Sequence, residues 1–415
     1  MVQIKSFRGI RPDKLLAKDI ASLPYDVLNS EEARELVQNN PHSYLHIDKS
    51  EIDLDPNVPP YDLSVYEKAK ENLTLFLDKG WLKKEKKDCL YLYELTMNGF
   101  SQLGLVTCTS IDDYLNGDIK KHELTRKEKE LDRIQHITYC NANTSPIFLT
   151  YRENTTINDI TQQWIQEHDV EYDFVHSYEV RHKVWVIDDQ IVIDQLVQLF
   201  KEDVPSLYIA DGHHRTESAV KVGLNRRNQI GDTPDAPYQS FLSVLFPKNE
   251  LHIYDYNRIL TLTVTEEHLE RIANYFYIAP KGKKTYKPKK SHEFSMYYQG
   301  EWQQLILKEK FLIKEKGTLK LLSAALFQKY IAEKCFNITD IRTNQQIDFI
   351  GGIRGLNELE SLVNQAKASI AFALTEATMD DLLTVADNHE IMPPKSTWFE
   401  PKLLSGLFLY DLESN

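Results

Sequence analysis

Residues 205–218 read PSLYIADGHHRTES, and this stretch is the strongest indication of a fold and a site in the chain. The apolar run Leu207–Ala210 is typical of a short buried strand. Asp211 and Gly212 end that run, and a helix-like pattern opens at Thr216. The sequence therefore predicts a strand that passes through a tight turn into a helix.

The predicted turn carries side chains that bind anions and move protons. Four neighbours can carry charge or a proton, namely Asp211, His213, His214 and Arg215. Gly212 lets the backbone approach a ligand closely. The helix start offers backbone N–H groups and the positive end of the helix dipole, which suits phosphate. Arg215 adds a planar fork for anions, so residues 212–216 are predicted to hold phosphate or sulfate, with Thr216 at the end of the cradle.

Two other interpretations of this stretch stay open at the sequence level. Asp211 can cap the following helix, and two histidines with an arginine can form a solvated surface. A metal hydrolase using His213 and His214 is the second. Adjacent histidines on a helix point apart, and no third ligand is identified in the sequence, so no metal site is assigned.

Composition restricts the class of protein. The chain has 415 residues, 42% hydrophobic and 27% charged, with a formal net charge of −13. That balance argues against a nucleic-acid-coating role, which needs a basic face. The four cysteines show no paired spacing, no apolar run is long enough to span a membrane, and the first residues lack a signal core. We expect a cytoplasmic protein with a small-molecule substrate and no nucleic-acid or membrane partner, and its oligomeric state is left open.

Strand-like and helix-like segments interleave with hairpins, which predicts an α+β (mixed α/β) fold with mixed sheets. Asn98 and Gly99 lie between two β-rich runs and predict a hairpin. Residues 43–47 (SYLHI) alternate like a strand.

We expect three parts along the chain. Residues 1–150 form an N-terminal α+β part that contributes to the site, and 151–260 a core that contains the DGHHR turn. Residues 261–415 form a C-terminal α+β part.

Further candidate residues lie outside the turn. Asp26 follows Pro24 in a proline-fixed turn, where an acid is held well for catalysis or simply caps the turn. Asn257 and Arg258 end a predicted strand as a ligand clamp or as an ordinary surface pair. Lys395 and Lys402 frame the aromatic pair Trp398-Phe399, which is typical of a core, and both lysines are able to reach an anion.

A second group of candidates lies in a charged helix predicted over residues 120–136. Its charge run is typical of a solvated face. Glu123 precedes the helical turn, where a carboxylate is stabilised and can act as a base, and Arg133 is a candidate clamp for the substrate.

Seven motifs together resemble one uncharacterised bacterial and archaeal family, the domain of unknown function 1015. The resemblance runs from Phe7 to about Leu407. The motifs are FRGIRP (7–12), PYDV (24–27), NPHSYLHI (40–47), HELT with DRI (122–134), LYIADGHHR (207–215), YNRIL (256–260) and PPKSTWFEPKLLSGL (393–407).

The DGHHR turn also resembles the phosphate-binding turn of the ParB/sulfiredoxin superfamily, which includes free L-serine kinases, CTP-using ParB proteins and ATP-using sulfiredoxins. The resemblance implies that Gly212, His213, His214 and Arg215 hold nucleotide phosphates and that Asp211 lies beside the transferred group. Sulfiredoxin chemistry needs a cysteine in this turn, and this turn has none.

The leading hypothesis from the sequence is a kinase that uses ATP or ADP with Mg²⁺ and phosphorylates free L-serine. Asp211 is the first choice of base, followed by Asp26 and Glu123, with His213 a further catalytic candidate. The alternative is a ParB-like nucleotide-binding regulatory protein without small-molecule turnover.

The kinase hypothesis makes a geometric prediction. Asp26, Glu123, Arg133 and Asn257 should converge within roughly 15 Å of the 211–215 turn, which is about the extent of an ordinary ligand pocket.

Overall fold

The computed structural model describes residues 1–413, and their contacts group into two compact units. The first unit contains Met1–Lys120, Leu124–Leu251 and the chain from Pro401 onwards. The second unit contains Lys121–Glu123 and His252–Glu400. Strands from both 1–150 and 151–260 lie in the first unit.

The first unit is built from short strands and a mixture of short and long helices. Its strands are β1 (Ile4–Lys5), β2 (Ile10–Pro12), β3 (Leu82–Lys84), β4 (Leu90–Met97), β5 (Phe100–Ser110), β6 (Ile119–Lys120), β7 (Ala142–Asn143), β8 (Ile147–Tyr151), β9 (Tyr172–Val175), β10 (Arg181–Ile187), β11 (Leu207–Asp211), β12 (Ser240–Pro247) and the final strand Tyr410–Asp411. Its helices are α1 (Ala17–Ile20), α2 (Ser30–Val37), α3 (Leu45–Asp48), α4 (Leu63–Asp78), α5 (Ile111–Leu115), α6 (Lys127–Cys140), α7 (Thr155–Glu167), α8 (Gln190–Asp203) and α9 (His213–Ile230).

A nine-stranded mixed sheet organises the first unit. Its order is β6-β11-β8-β12-β5-β4-β10-β9, and β1 pairs with β5 beside that path. β11 runs parallel to β6 and antiparallel to β8, and β12 runs parallel to β8. The remaining neighbours are antiparallel. β11, which leads into the predicted turn, is therefore an inner strand of a mixed sheet.

The second unit is a smaller α+β assembly. Its strands are β13 (Ile253–Tyr254), β14 (Tyr256–Leu260), β15 (Phe276–Gly282), β16 (Glu293–Tyr298), β17 (Glu301–Leu307), β18 (Ile347–Gly351), β19 (Ile370–Ala373) and β20 (Trp398–Phe399). Its helices are α10 (Glu266–Tyr275), α11 (Glu309–Leu312), α12 (Thr318–Leu321), α13 (Ser323–Leu326), a π-helical segment Phe327–Glu333, α14 (Lys334–Phe336), α15 (Leu356–Asn364) and α16 (Met379–Asp387).

Six strands of the second unit form an antiparallel sheet in the order β15-β17-β16-β19-β14-β18. Phe276, Phe294, Phe327 and Phe372 lie in its main hydrophobic core. Both units thus combine sheets with helices, and the predicted α+β class is confirmed.

Local predictions fare unequally. The hairpin is confirmed, because β4 and β5 pair around Asn98 (φ 52°) and Gly99 (φ 80°), as a turn with two positive φ angles requires. The strand predicted at residues 43–47 is wrong, since α3 begins at Leu45. Tyr44, Ile47 and Asp48 are all buried and share one helical face. The alternation of apolar and polar residues in SYLHI therefore does not indicate a strand here.

No helix within residues 1–413 is both long and apolar enough to cross a membrane.

Candidate functional site

The turn after β11 joins a bent strand end to the start of a long helix. β11 carries a register irregularity between Ile209 and Asp211 against β8, which bends the strand just before it ends. Gly212 follows with φ 95°, a left-handed conformation that favours glycine. The 18-residue helix α9 then begins at His213, three residues earlier than the sequence pattern predicts. His213, His214 and Arg215 therefore form the first turn of α9.

Glycine at position 212 is also required by the packing of Arg215. A Cβ placed on Gly212 would lie 3.1 Å from Arg215 Nε and 3.2 Å from Arg215 Nη2. The Arg215 side chain thus folds back over the turn, and its Nη1 donates to the carbonyl of Pro146 at 2.6 Å. The guanidinium is fixed above the start of α9 by a neutral acceptor.

Asp211 is held by a cation from the far end of the chain. Lys402 Nζ lies 3.0 Å from Asp211 Oδ2, and Asp211 Oδ1 accepts the amide of Gly212 at 2.8 Å. Burial raises the pKa of Asp211, but the charges of Lys402 and Arg215 outweigh it and leave that pKa well below its usual range. Asp211 is therefore an ionised acceptor, and it binds protons weakly.

His214 has a defined protonation pattern. The backbone amide of Arg126 donates to His214 Nε2 at 2.9 Å, so Nε2 is an acceptor. Burial, with Lys129, lowers the pKa of His214, and Asp26 opposes that shift. The imidazole is thus neutral near pH 7 with its proton on Nδ1. His213 precedes it and is buried.

Part of the predicted anion cradle is used by the turn itself. The Thr216 amide donates to the carbonyl of Gly212 at 2.9 Å, and the Thr216 hydroxyl donates to the same oxygen at 3.0 Å. The amides of His214 and Arg215 lie in the first turn, where an α-helix provides no carbonyl acceptor. These two amides are the best-placed backbone donors of the predicted cradle.

A cavity of about 250 Å³ lies in the same unit. Its lining comes from four parts of the chain, namely residues 25–30 with Tyr25 and Asp26, the segment 48–51, residues 60–66 with Tyr66, and helix α6 with Asp132, Arg133 and His136. Asp26 is exposed, whereas the α6 side chains are buried.

Arg133 is the buried centre of this cavity wall. Its guanidinium contacts the carboxylates of Asp132 (2.9 Å) and Asp48 (3.3 Å) and lies 3.9 Å from the centre of the Tyr25 ring. Burial lowers the pKa of Arg133, and the acids beside it raise it further than burial lowers it. The cluster of Arg133, Asp48 and Asp132 contains two carboxylates and one guanidinium, so it carries an excess of negative charge.

Asp48 is fixed by several further partners. Its Oδ2 accepts the hydroxyls of Ser405 at 2.9 Å and Ser145 at 3.1 Å. Tyr66 donates to Asp132 Oδ1 at 3.1 Å. The carboxylates around Arg133 are therefore held in place, as a binding wall requires.

The turn and the cavity are within electrostatic reach of each other. Burial raises the pKa of Tyr25, and Arg133 and Arg215 both oppose that rise. At His214, burial lowers the pKa and the carboxylate of Asp26 opposes that lowering. Arg215 of the turn and Arg133 of the wall therefore both act on Tyr25, and the convergence of Asp26 and Arg133 on the 211–215 turn stays a prediction.

The remaining predicted residues belong to the second unit. Glu123 is half-buried in the short segment Lys121–Glu123 of that unit. Asn257 and Arg258 lie within β14, with each residue 1% exposed. The interpretation of these two residues as a strand-end pair on the surface is wrong. Their convergence with Asp211 stays a prediction.

Sequence reasoning missed several residues of the cavity. Asp48, Tyr66 and His136 each stand close to other polar residues in sequence, so no local pattern distinguishes them. His136 Nε2 donates to the carbonyl of Ile47 at 2.9 Å. NPHSYLHI, which contains Tyr44 and ends one residue before Asp48, is the motif that could have pointed there.

Within residues 1–413, no group of three or more His, Cys, Asp or Glu side chains is arranged to hold a metal ion.

Three solved structures illustrate what the chain is similar to. A free serine kinase variant in complex with AMP matches with a TM-score of 0.38 and 12% identity, over 73% of this chain and 92% of that one. A conserved hypothetical protein from Pyrococcus furiosus matches with a TM-score of 0.37 and 13% identity, over 73% and 95%. C-terminally truncated SbnI from Staphylococcus aureus matches with a TM-score of 0.40 and 10% identity, over 72% and 85%.

No curated protein matches the chain in sequence. A family model matches residues 4–330, which is well over half of the chain. Six of the seven motifs lie within the matched residues, and the family resemblance is confirmed: the chain belongs to the family described as Protein of unknown function (DUF1015).

Proposed function

We propose that this protein is a nucleotide-dependent kinase that transfers a phosphoryl group to the hydroxyl of free L-serine. The observation that supports this most is the adjacency of two features in the first unit. One is a glycine turn at the start of a long helix, with Arg215 folded over it. The other is the cavity that Asp26 and Arg133 line.

The turn supplies the nucleotide end of the site. The amides of His214 and Arg215, the Arg215 guanidinium and the positive end of the α9 dipole would hold phosphate oxygens. Gly212, His213 and Thr216 complete the proposed nucleotide-binding set. Lys402, which is bound to Asp211, adds a second cation beside that turn.

The cavity supplies the acceptor end. A volume of about 250 Å³ suits a small metabolite. The cavity wall carries the carboxylates of Asp48 and Asp132 around the Arg133 guanidinium. A free amino acid bears both an ammonium and a carboxylate, so a wall with both signs of charge fits it.

The acceptor hydroxyl needs a base, and the structure favours Asp26 over the first choice from sequence. Asp211 is tied to Lys402 and its pKa is held low, so it accepts a proton poorly. Asp26 is exposed and lines the cavity beside His214. In the proposed reaction Asp26 takes the hydroxyl proton as the serine oxygen bonds to phosphorus, and the bond to the departing nucleoside phosphate breaks.

Mg²⁺ would be held by phosphate oxygens of the nucleotide together with one carboxylate, Asp211 or Asp26. Its chemistry is to neutralise charge on the phosphates. One carboxylate is enough for such a site, and Asp211 directly precedes the proposed phosphate-binding turn.

The test is a reaction screen on the intact protein. The protein is incubated with ATP or ADP, Mg²⁺ and a pool of metabolites, and phosphorylated products are identified by mass spectrometry. We expect phosphoserine with one of the two donors. Nucleotide binding without any phosphorylated product would favour the regulatory alternative.

A further inference from the structure

Arg258 is a buried cation whose hydrogen bonds go only to neutral backbone oxygens. It lies in β14 and is 1% exposed. Nη1 donates to the carbonyl of Tyr256, and Nη2 donates to the carbonyl of Lys395 at 2.9 Å. Among the described residues, Arg258 Nε has no hydrogen-bond partner. Both of these hydrogen bonds go to neutral carbonyl oxygens, and the Nε–H donor has no acceptor.

The nearby acid is engaged elsewhere. Asp255 Oδ1 lies 3.1 Å from Lys287 Nζ, and Asp255 Oδ2 accepts the amide of Asn257 at 2.7 Å. The aromatic ring of Phe349 covers the guanidinium at 4.9 Å. Burial lowers the pKa of Arg258 to about 9, with only partial compensation from its neighbours. A buried charge of this kind is costly unless an anion accompanies it.

A small cavity of about 10 Å³ adjoins this arginine. Its polar lining residues are Arg258, Ser323, Thr375, Lys395 and Ser396. Ser323 Oγ accepts the backbone amide of Thr375 at 3.3 Å, which leaves the hydroxyl proton available as a donor. The cavity is thus lined by a cation and by a hydroxyl donor, and its lining includes no carboxylate among the described residues.

The loop that closes the cavity is held in an unusual conformation. Lys395 has φ 57°, in the left-handed region that non-glycine residues seldom adopt. Its carbonyl is the oxygen that accepts Arg258 Nη2, and its ammonium lies 5.4 Å from the centre of the Tyr256 ring. Strained backbone of this kind persists where the surroundings fix it, so the loop is built around the arginine.

We infer that the second unit contains a binding site for one small inorganic anion of the size of chloride, held by Arg258 Nε and the Ser323 hydroxyl. The volume is roughly that needed for the centre of a single water-sized sphere, which excludes phosphate and carboxylate ligands. This role is independent of the proposed kinase activity, and it differs from the substrate clamp predicted for Arg258.

The test uses bromide as a probe in the intact protein. Crystals grown with sodium bromide are measured at the bromine absorption edge. We expect an anomalous peak within hydrogen-bond distance of Arg258 Nε and Ser323 Oγ. Bromide found only at other positions, or a water molecule in this cavity at saturating bromide, would overturn the inference.

A solution measurement supports the crystal test. The thermal midpoint is compared in sodium chloride and sodium gluconate at equal ionic strength, and chloride should raise it by about 2 °C or more. Ser323→Ala, which removes one donor and keeps the arginine, should weaken this chloride effect, and Arg258→Met should abolish it. Arg354→Met, at a side chain that is 63% exposed in the same unit, should keep it. An equal chloride effect in Ser323→Ala and wild type would also contradict the site.

Discussion

Lys402 Nζ lies 3.0 Å from Asp211 Oδ2 and so ties the end of the chain to the turn that begins α9. These residues are 191 positions apart, yet both belong to the first unit. The ion pair keeps Asp211 ionised. It also places a lysine where the proposed nucleotide phosphates would lie.

Removing that lysine should leave Asp211 without its main counter-charge. We expect Lys402→Met to lower the free energy of unfolding by about 1–3 kcal/mol, since a partly buried charge loses its partner, and to weaken nucleotide binding. Chemical denaturation and calorimetric titration with ATP and ADP measure the two effects. Lys86→Met, at an exposed position of the same unit, is the control and should change neither. If Lys402→Met lowers the free energy of unfolding by the same amount in the Asp211→Asn background as in wild type, the two residues are not coupled.

Gly212 should be intolerant of a side chain for two separable reasons. Gly212→Ala forces an L-residue into φ 95°, at a cost of about 1–2 kcal/mol, and displaces the Arg215 guanidinium. Gly117 is the control, because it has φ 84° and a Cβ added there would meet nothing within 4 Å. We expect Gly212→Ala to lose more stability than Gly117→Ala in denaturant unfolding, and only Gly212→Ala to weaken nucleotide binding. Equal losses and unchanged binding in both variants would show that Arg215 has no role in the turn.

Arg215 itself should act on nucleotide affinity. Arg215→Ala is expected to weaken binding about 10- to 100-fold, the usual value of a hydrogen bond to a charged group. Titration of ATP and ADP with and without Mg²⁺ measures it. Arg152→Ala, at an exposed arginine of the same unit, controls for a general loss of positive charge. Unchanged affinity in Arg215→Ala would remove the turn from the proposed site.

His182 should make the first unit acid-sensitive. It is buried against Tyr93, whose hydroxyl lies 2.8 Å from His182 Nδ1, and burial lowers its pKa to about 3. Because the unfolded chain binds this proton more tightly, stability is present above pH 6.5 and is lost as pH falls from about 6.5 towards 3.

Comparison of variants isolates this contribution. Between pH 6.5 and 4, His182→Gln should lose a few kcal/mol less unfolding free energy than wild type. Urea unfolding at each pH measures this difference. Asp113, whose pKa burial raises to about 6, has the opposite pH dependence and is present in both proteins, so it cancels in the difference. His252→Gln, at an exposed histidine, should follow wild type. Parallel curves for His182→Gln and wild type would contradict the assignment.

Part of this structure could be predicted from its letters. The strand at Leu207, the hairpin at Asn98 and the turn glycine at 212 follow from local rules about apolar runs and positive φ angles. The predicted start of α9 is misplaced because His213 and His214 do not look like a helix opening, although they form its first turn.

The cavity could not be predicted in the same way. Asp48 and Arg133 are 85 positions apart and meet only through the packing of α3 near α6, and no local pattern encodes such a contact. The sequence around Lys402 shows only a lysine near two aromatic residues, and it does not indicate a partner for that lysine. Its partner, Asp211, is defined by the sheet and the fold of the whole first unit.

Two aspartates, Asp26 and Asp211, are candidates for the base that takes the proton of the acceptor hydroxyl. Asp26→Asn should lower turnover roughly 100- to 10,000-fold with nucleotide affinity nearly unchanged. Asp211→Asn should instead weaken nucleotide binding through Lys402, with a smaller effect on turnover at saturating nucleotide. If Asp211→Asn removes turnover and Asp26→Asn does not, the base assigned from the sequence alone is the correct one.

The proposed kinase activity is tested most directly by ³¹P NMR of the wild-type protein with Mg²⁺, L-serine and either ATP or ADP. We expect a growing phosphoserine resonance with one donor, matched by loss of the donor's terminal phosphate signal, and a rate that falls sharply in Asp26→Asn. A nucleotide spectrum that stays unchanged with both donors, while the protein binds them, would contradict the kinase and leave a nucleotide-binding protein without turnover.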